Sequence, residues 1–465
     1  MRLFNTLTRA VEELRPVHEG ELRMYGCGPT VYRPVHIGNL RTFLLTDLVR
    51  RVAELEGNRV LQVVNITDVG HMVDDASEAA VDRMELAMED EGLSPWEIAE
   101  KYTRMYLDDT AAIGIAPAHE YPRATDHIPE MIEMIRSLID RGHAYVLDDG
   151  TVYYDVTSFP GYGGLSRNSL ENLQSGHREL EADDRKRHPA DFALWKRAAE
   201  NRLMTWESPW ATGFPGWHIE CSAMSMKYLG ERFDVHTGGM DLTFPHHEDE
   251  IAQSEGATGH PVVSMWVHGG HLLAEGQKMS KSTGNVWTIR DVVDRGHDPL
   301  AFRLLCFQTR YRSLLDFRWD ALRAADRTLT RLRQRMAGWP EEGGQSRSLS
   351  ADDADRRFRE AVADDLDLPA AVVVLNETVH ADLPDADKRA LLASWDRVLG
   401  LDLERMAREG FEVPDDVRDL VRERDQARAA RDWARADHLR ERLTDAGWEV
   451  MDGAAGTEVR PLVPE

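Results

Sequence analysis

The sequence predicts an α/β protein: a body built on a parallel sheet and carrying an insertion, then a helical region, then a small C-terminal module. Three observations predict it. At roughly 150 residues per domain, a chain of 465 residues has room for about three domains and a sizeable core. A strand–loop–helix–strand unit opens the chain. Two later breaks, rich in Gly, Pro and polar residues, set off a helical region and a short terminal segment. In the opening unit, Leu22 and Met24 lead into Gly26-Cys27-Gly28-Pro29-Thr30, a run too rich in Gly and Pro for regular structure. From Ile37, the residues Leu40, Leu44, Leu48, Val52 and Leu55 recur at three- and four-residue spacing, which predicts an amphipathic helix. Gly57-Asn58 ends it, and Val60 to Val64 is an apolar, β-branched strand. Such a βαβ unit is the building block of a Rossmann-like, nucleotide-binding parallel sheet. Helical patterns follow to about Arg141, the stretch from Ser166 to Pro189 is polar with few core formers, and core-like segments resume at Trp195. Gly338 to Asp353 reads as a linker, and Gly410 to Asp416 with Pro414 as a second break. The expected division is a body of residues 1–310, with its insertion at about 115–205 and a loop region at about 270–310. A helical bundle at 311–405 and a terminal module at 410–465 complete it.

Composition excludes several classes. Hydrophobic residues make up 42% and charged residues 30%, as in a soluble globular protein. No apolar run reaches the ~18 residues of a membrane span, and the N-terminal MRLFNTLTRAVEEL lacks the apolar stretch of a secretory signal. The cytoplasm is the expected location. Three cysteines, Cys27, Cys221 and Cys306, are too few for a disulfide framework and point to ligand or nucleophile chemistry.

Charge decides less than it promises. With 82 Asp and Glu against 56 Lys and Arg the formal net charge is −26, and only seven of the cations are lysine. A polyanionic partner ordinarily calls for a basic footprint. In ~1 M salt, however, the Debye length is only about 3 Å, and distant repulsion from nucleic acid is largely screened. Adaptation to salt is the preferred reading, and compositional bias from a GC-rich genome is the other.

Two short motifs carry phosphate chemistry. HIGN, His36 to Asn39, opens the predicted helix, where backbone N–H groups and the helix dipole favour an anion and both side chains can add donors. KMSKS, Lys278 to Ser282, sets two lysines three apart between Gly276 and Gly284, as a mobile loop requires. Lysine is a point charge on a flexible stem, suited to a departing pyrophosphate. Alone, HIGN is an ordinary helix cap and two loop lysines are ordinarily solvated. In this order, with the first after the opening strand of a βαβ unit, the pair resembles the hallmark motifs of class I aminoacyl-tRNA synthetases.

Cys27 precedes HIGN, Cys221 stands in PGWHIECSAM, and His246 and Glu250 stand four apart in PHHEDEIAQ, on one face if helical. Two thiols, an imidazole and a carboxylate are a possible zinc set. The spacing is neither that of a zinc finger nor that of a zincin. From spacing alone, two buried core cysteines and a solvated helix face are the preferred reading.

GCGPTVY, PGWHIECSAM and FPHHEDEIAQSE are similar to segments of the cysteinyl-tRNA synthetase family. The resemblance implies one Zn2+ per chain, held by Cys27, Cys221, His246 and Glu250, with an open position for the substrate thiolate. It implies activation of L-cysteine with ATP, accompanied by Mg2+, and transfer to tRNA(Cys). By the same likeness Thr30, His36, Gly38, Asn39, Lys278 and Lys281 serve ATP, with His36, Asn39, Lys278 and Lys281 catalytic. Thr67 of NITD, Trp217, His236 and Asp241 line the cysteine pocket, and His268 faces the nucleotide. The terminal RDQARAARDWARADHLRERLTDAGWEVMDG resembles that family's anticodon-binding domain, with Arg428, Trp433, Asp437 and Asp452 at base-reading positions. A monomer without an editing domain is expected.

The chain departs from the family pattern at two places: Asn39 stands where many class I members have a second His, and Pro34 where a polar residue is usual. A ligase joining cysteine to an aminosugar-inositol would share the catalytic residues but lack the anticodon module. A non-catalytic RNA- or zinc-binding paralogue would have lost HIGN, KMSKS or the ligand set.

Overall fold

A computed structural model describes residues 1–70, 83–170, 183–279, 284–340, 348–409, 413–446, 448–453 and 456–461. At its centre is a four-stranded parallel sheet in the order Val263–Gly269, Phe233–Gly239, Glu21–Gly26, Arg59–Val64. The Ile37–Leu55 helix crosses between the last two, burying Leu40, Leu44, Leu48 and Val52 as its spacing predicts. It ends at Gly57, whose φ of 91° suits a residue without a side chain.

Between the two halves of the sheet lies a four-stranded antiparallel sheet of Ala144–Val146, Val152–Tyr154, Phe192–Arg197 and Gly213–Pro215, with the Ile128–Asp140 helix before it. Part of the polar stretch expected there, 171–182, lies outside the described residues. Beyond the central sheet, Leu272–Ala274 pairs with Gln277–Lys278 and with Leu315–Phe317.

Helices Trp319–Gly338, Leu349–Ala363, Leu368–His380 and Asp385–Leu399 form the bundle. The second half of the expected linker is helical from Leu349, because Ser348 accepts the Ala351 N–H as an N-cap. Ser and Asp mark loops by composition, yet they also serve as caps and first-turn residues. The terminal module pairs helices Asp415–Ala429 and Trp433–Asp445 with the hairpin Trp448–Gly453/Gly456–Pro461, around Val417, Leu443 and Trp448.

Arg303 ties body to bundle. Fully buried, it donates to Asp47 Oδ2 at 2.7 Å and to Gly114 O at 3.0 Å, and it also reaches the Leu399 carbonyl at the end of the last bundle helix. Among the described residues, no helix is long and apolar enough to cross a membrane.

Candidate active site

The site forms where the first two sheet strands end. Gly28 must be glycine: a Cβ there would stand 1.7 Å from the Asn65 carbonyl oxygen. This close approach lets the Gly28 N–H donate to Asn65 Oδ1 at 2.8 Å and holds the loop bearing Cys27 against the loop bearing Thr67. Asn65 Nδ2 donates to Thr67 Oγ1 (3.0 Å), which donates on to Glu220 Oε2 (2.8 Å). Thr30 bridges to Thr67 through the backbone.

Cys27 reaches the cluster from its loop, Cys221 from the Trp217–Leu229 helix, and His246 and Glu250 from successive turns of the His246–Thr258 helix. All four are buried, and one donor atom from each lies within 4.8 Å of the others. His246 Nε2 lies 3.0 Å from Glu250 Oε1, and Cys27 Sγ 3.9 Å from the same oxygen. A second set, Cys27, His236, His247 and Glu250, meets the same distance. In it His236 Nε2 lies 2.9 Å from Glu250 Oε2, and His247 places Nε2 3.2 Å from Cys27 Sγ and Nδ1 2.8 Å from His268 Nε2. The first set offers two thiols, one imidazole and a carboxylate, a donor set suited to Zn2+. His246 turns its other nitrogen to His218 Nδ1 (2.8 Å), and His218 Nε2 lies 3.3 Å from Asp249 Oδ2, the kind of outer support that orients a ligating histidine. These residues fit the ion.

Electrostatics agree with the geometry. The hydrogen bond from Cys27 lowers the Cys221 thiol to about 7, against the effect of burial. Burial raises Cys27 well above the usual thiol range. Burial also works to raise the Glu250 carboxyl, but His236 and His246 outweigh it and hold it at about 2. His246, opposed by burial, is lifted to about 10 by Glu250 and Cys221.

Trp217, 36% exposed, lays its ring 4.5 Å from that of His246. Asp241 is exposed just beyond the sheet, its carboxylate folded over Gly239. His236 is buried under Glu250 and stacks on Trp266 at 4.6 Å. His268, expected at the nucleotide, is buried instead: its ring nitrogens meet His247 and Thr6 Oγ1, the latter at 2.8 Å. Its strand turns it inward, onto the histidine cluster.

At the helix start, His36 and Asn39 cap each other. The Asn39 N–H donates to His36 Nδ1 and the His36 N–H to Asn39 Oδ1, both at 3.2 Å. The Ile37 N–H donates to Trp287 O at 2.9 Å and the Leu40 N–H to His36 O at 3.1 Å. Several amides that the sequence offers to phosphate are therefore taken up locally. Burial, then the charge of Arg33, lowers the His36 pKa, which suits its role as an acceptor. A Cβ on Gly38 would stand 2.7 Å from Met279 Cε, so Met279, the second residue of KMSKS, rests on HIGN. Lys278 is exposed, and Lys281 lies outside the described residues.

In the terminal module Asp452 accepts from Arg424 (2.7 Å), from Arg440 (3.0 Å) and from Arg428. Trp433 is 60% exposed, and Asp437 is also at the surface. Sequence reasoning did not single out Gly28, Glu220, His218 or the role of Asn65. Their clue is position inside the quoted motifs GCGP, NITD and PGWHIEC, since hydrogen-bond relays leave no periodicity.

A family model described as tRNA synthetases class I (C) catalytic domain matches residues 13–327. Another, described as cysteinyl-tRNA ligase anticodon binding domain, matches residues 412–460. A Burkholderia lata protein named cysteine–tRNA ligase 1 is 45% identical over 459 residues, covering 98% of this chain and 96% of its own. The cysteine–tRNA ligase of Chlorobaculum tepidum is 40% identical over 480 residues, covering 98% of both chains. In fold, the chain is similar to a Mycobacterium tuberculosis methionyl-tRNA synthetase in complex with methionyl-adenylate. That likeness has a TM-score of 0.56 at 14% identity and covers 83% of this chain and 91% of that one. A buried Cys/His/Glu set beside paired HIGN and KMSKS segments, with near full-length likeness at this level of identity, places the chain in the cysteine–tRNA ligase family of class I aminoacyl-tRNA synthetases.

Proposed function

We propose that the chain activates L-cysteine with ATP to cysteinyl-adenylate and transfers the cysteinyl group to the 3′ end of tRNA(Cys). The observation that carries this reading is the buried cluster of Cys27, Cys221, His246 and Glu250 under Trp217. A Zn2+ ion held by these four residues would select cysteine by taking its sulfur as thiolate, a bond that the hydroxyl of serine matches poorly at neutral pH.

Around the substrate, Trp217 closes the pocket, Asp241 faces the α-ammonium group, and Thr67 is held in orientation by Asn65 and Glu220. His236 lies beneath, fixing the Glu250 carboxylate. In the first step the cysteine carboxylate attacks the α-phosphorus of ATP. A new P–O bond forms as the bond to pyrophosphate breaks. ATP, bound with Mg2+, would lie along Thr30, His36, Gly38 and Asn39. His36 and Asn39 exchange their mutual cap for the nucleotide, and Lys278 and Lys281 neutralise the departing pyrophosphate. The step asks for positioning and charge stabilisation more than for covalent catalysis. In the second step the terminal 2′-hydroxyl of the tRNA attacks the acyl carbon and AMP leaves.

In the terminal module we assign base stacking to Trp433, and edge contacts to Asp437 and to the donors and acceptors that Arg428 and Asp452 retain beyond the bonds among Arg424, Arg428, Arg440 and Asp452. We assign the catalytic body to residues 1–310, the bundle to 311–405 and the anticodon module to 410–465, in a cytoplasmic monomer. The test is Cys221→Ser. Loss of bound zinc together with at least about 100-fold slower cysteine-dependent ATP–pyrophosphate exchange is expected. Full exchange in a zinc-free variant would refute the reading.

A further inference from the structure

Among the described residues, Tyr25 is a buried polar group at the site that the proposed mechanism leaves without a task. Tyr25 lies in the Glu21–Gly26 strand, two residues before Cys27, so both side chains project to the same face of the sheet. Its register partner on the neighbouring strand is His236, with ring centroids 5.1 Å apart, and His236 is bonded to Glu250. Tyr25 packs in one cluster with Cys27, Cys221 and Ile219, is 0% exposed, and has no hydrogen-bond partner for its hydroxyl. Burial acts on that hydroxyl most, then Cys221, Cys27 and Glu250, three of the four candidate ligands, and Cys221 is also a hydrogen-bonding neighbour short of a well-formed bond.

A buried hydroxyl without a partner is unfavourable, and phenylalanine would fill the same volume without that cost. The hydroxyl therefore suits a state in which an acceptor stands before it. A neutral thiol is a weak acceptor, whereas a ligating cysteine is a thiolate, and hydrogen bonds to anions are about twice as strong as neutral ones.

We infer that Tyr25 is a positioning residue of the metal centre, donating its O–H to Cys221 Sγ when that sulfur serves as a thiolate ligand. The bond stabilises the thiolate, fixes the sulfur's direction and draws some charge from it. This inference rests on the zinc reading of the Cys27, Cys221, His246, Glu250 set.

The test compares full-length wild type with Tyr25→Phe. Zinc affinity is read by competition with a chromogenic chelator, and the sulfur-to-metal charge-transfer band is read after cobalt substitution. The variant is expected to bind zinc about 10-fold or more weakly, with a shifted band. Its metal-free melting temperature is expected to match or exceed that of wild type, because an unpaired hydroxyl has gone. Equal affinity and an unchanged band in a wild type that does bind zinc would overturn this inference alone. A wild type that takes up no zinc would overturn the metal reading with it. A variant that melts lower but binds zinc as wild type does would show a packing role and overturn the inference.

Discussion

Single residues in this molecule act through distances of a few ångströms. Gly28 is the sharpest case, since the loop that carries Cys27 meets Asn65 at a separation no side chain tolerates. Gly28→Ala is expected to destabilise the fold by at least about 2 kcal/mol, because backbone has to move on both sides. Urea unfolding measures it, and a midpoint like that of wild type would show that the loop can yield. Lys278 presents the opposite case, an exposed cation with no packing to lose. Lys278→Ala is expected to leave the melting temperature unchanged while slowing ATP–pyrophosphate exchange by roughly 100- to 1000-fold, the range for removing one transition-state donor. An unchanged exchange rate would remove Lys278 from the phosphate site.

Among elements, the Ile37–Leu55 helix joins three tasks: it packs the sheet, opens with the HIGN segment proposed to meet ATP, and meets the bundle through Asp47 and Arg303. The reciprocal cap of His36 and Asn39 separates structural from functional cost. Losing a cap residue is worth about 1 kcal/mol of stability. Asn39→Ala is therefore expected to lower stability by about that amount yet to slow exchange by more than the tenfold that 1.4 kcal/mol represents. Paired unfolding and exchange measurements distinguish the two, and a rate loss no larger than the stability loss would reduce Asn39 to a cap.

This helix also marks how far the sequence is readable. Its apolar spacing identifies it, because a 3.6-residue period is written into the order of residues, and the strand after it shows as an apolar, β-branched run. The helix beginning at Leu349 was hidden, since Ser348 caps it with the same residue type that marks a loop. In the site, HIGN, KMSKS and the four ligand candidates could be picked out as residue types in short motifs. That His268 faces His247 and Thr6 rather than a nucleotide could not, because it depends on which way one strand turns. The relay from Asn65 through Thr67 to Glu220 joins residues 155 apart along the chain, and no local pattern announces such a contact.

At the scale of the whole molecule the net charge of −26 sets the terms. A net excess of negative charge repels itself and weakens the compact state. Most ion pairs that salt would screen are exposed and worth about 0–1 kcal/mol each, so relief of repulsion is expected to win. Melting temperature and aminoacylation should both rise from low salt towards molar KCl, where the Debye length is about 3 Å. A protein most stable and active in dilute buffer would favour compositional bias over salt adaptation. The terminal module makes a separate demand. Trp433, 60% exposed, has little packing to lose, so Trp433→Ala is expected to impair tRNA charging while exchange stays intact. Equal losses in both would point away from the anticodon.

Body, bundle and terminal module converge on one activity, and one measurement reaches it most directly. Transcribed tRNA bearing a GCA anticodon is incubated with ATP and labelled cysteine, with serine as the rival substrate, at low and molar KCl. Charging with cysteine and not with serine is the expected result. Cysteine-dependent ATP–pyrophosphate exchange without tRNA charging at either salt would contradict the assignment of a tRNA substrate.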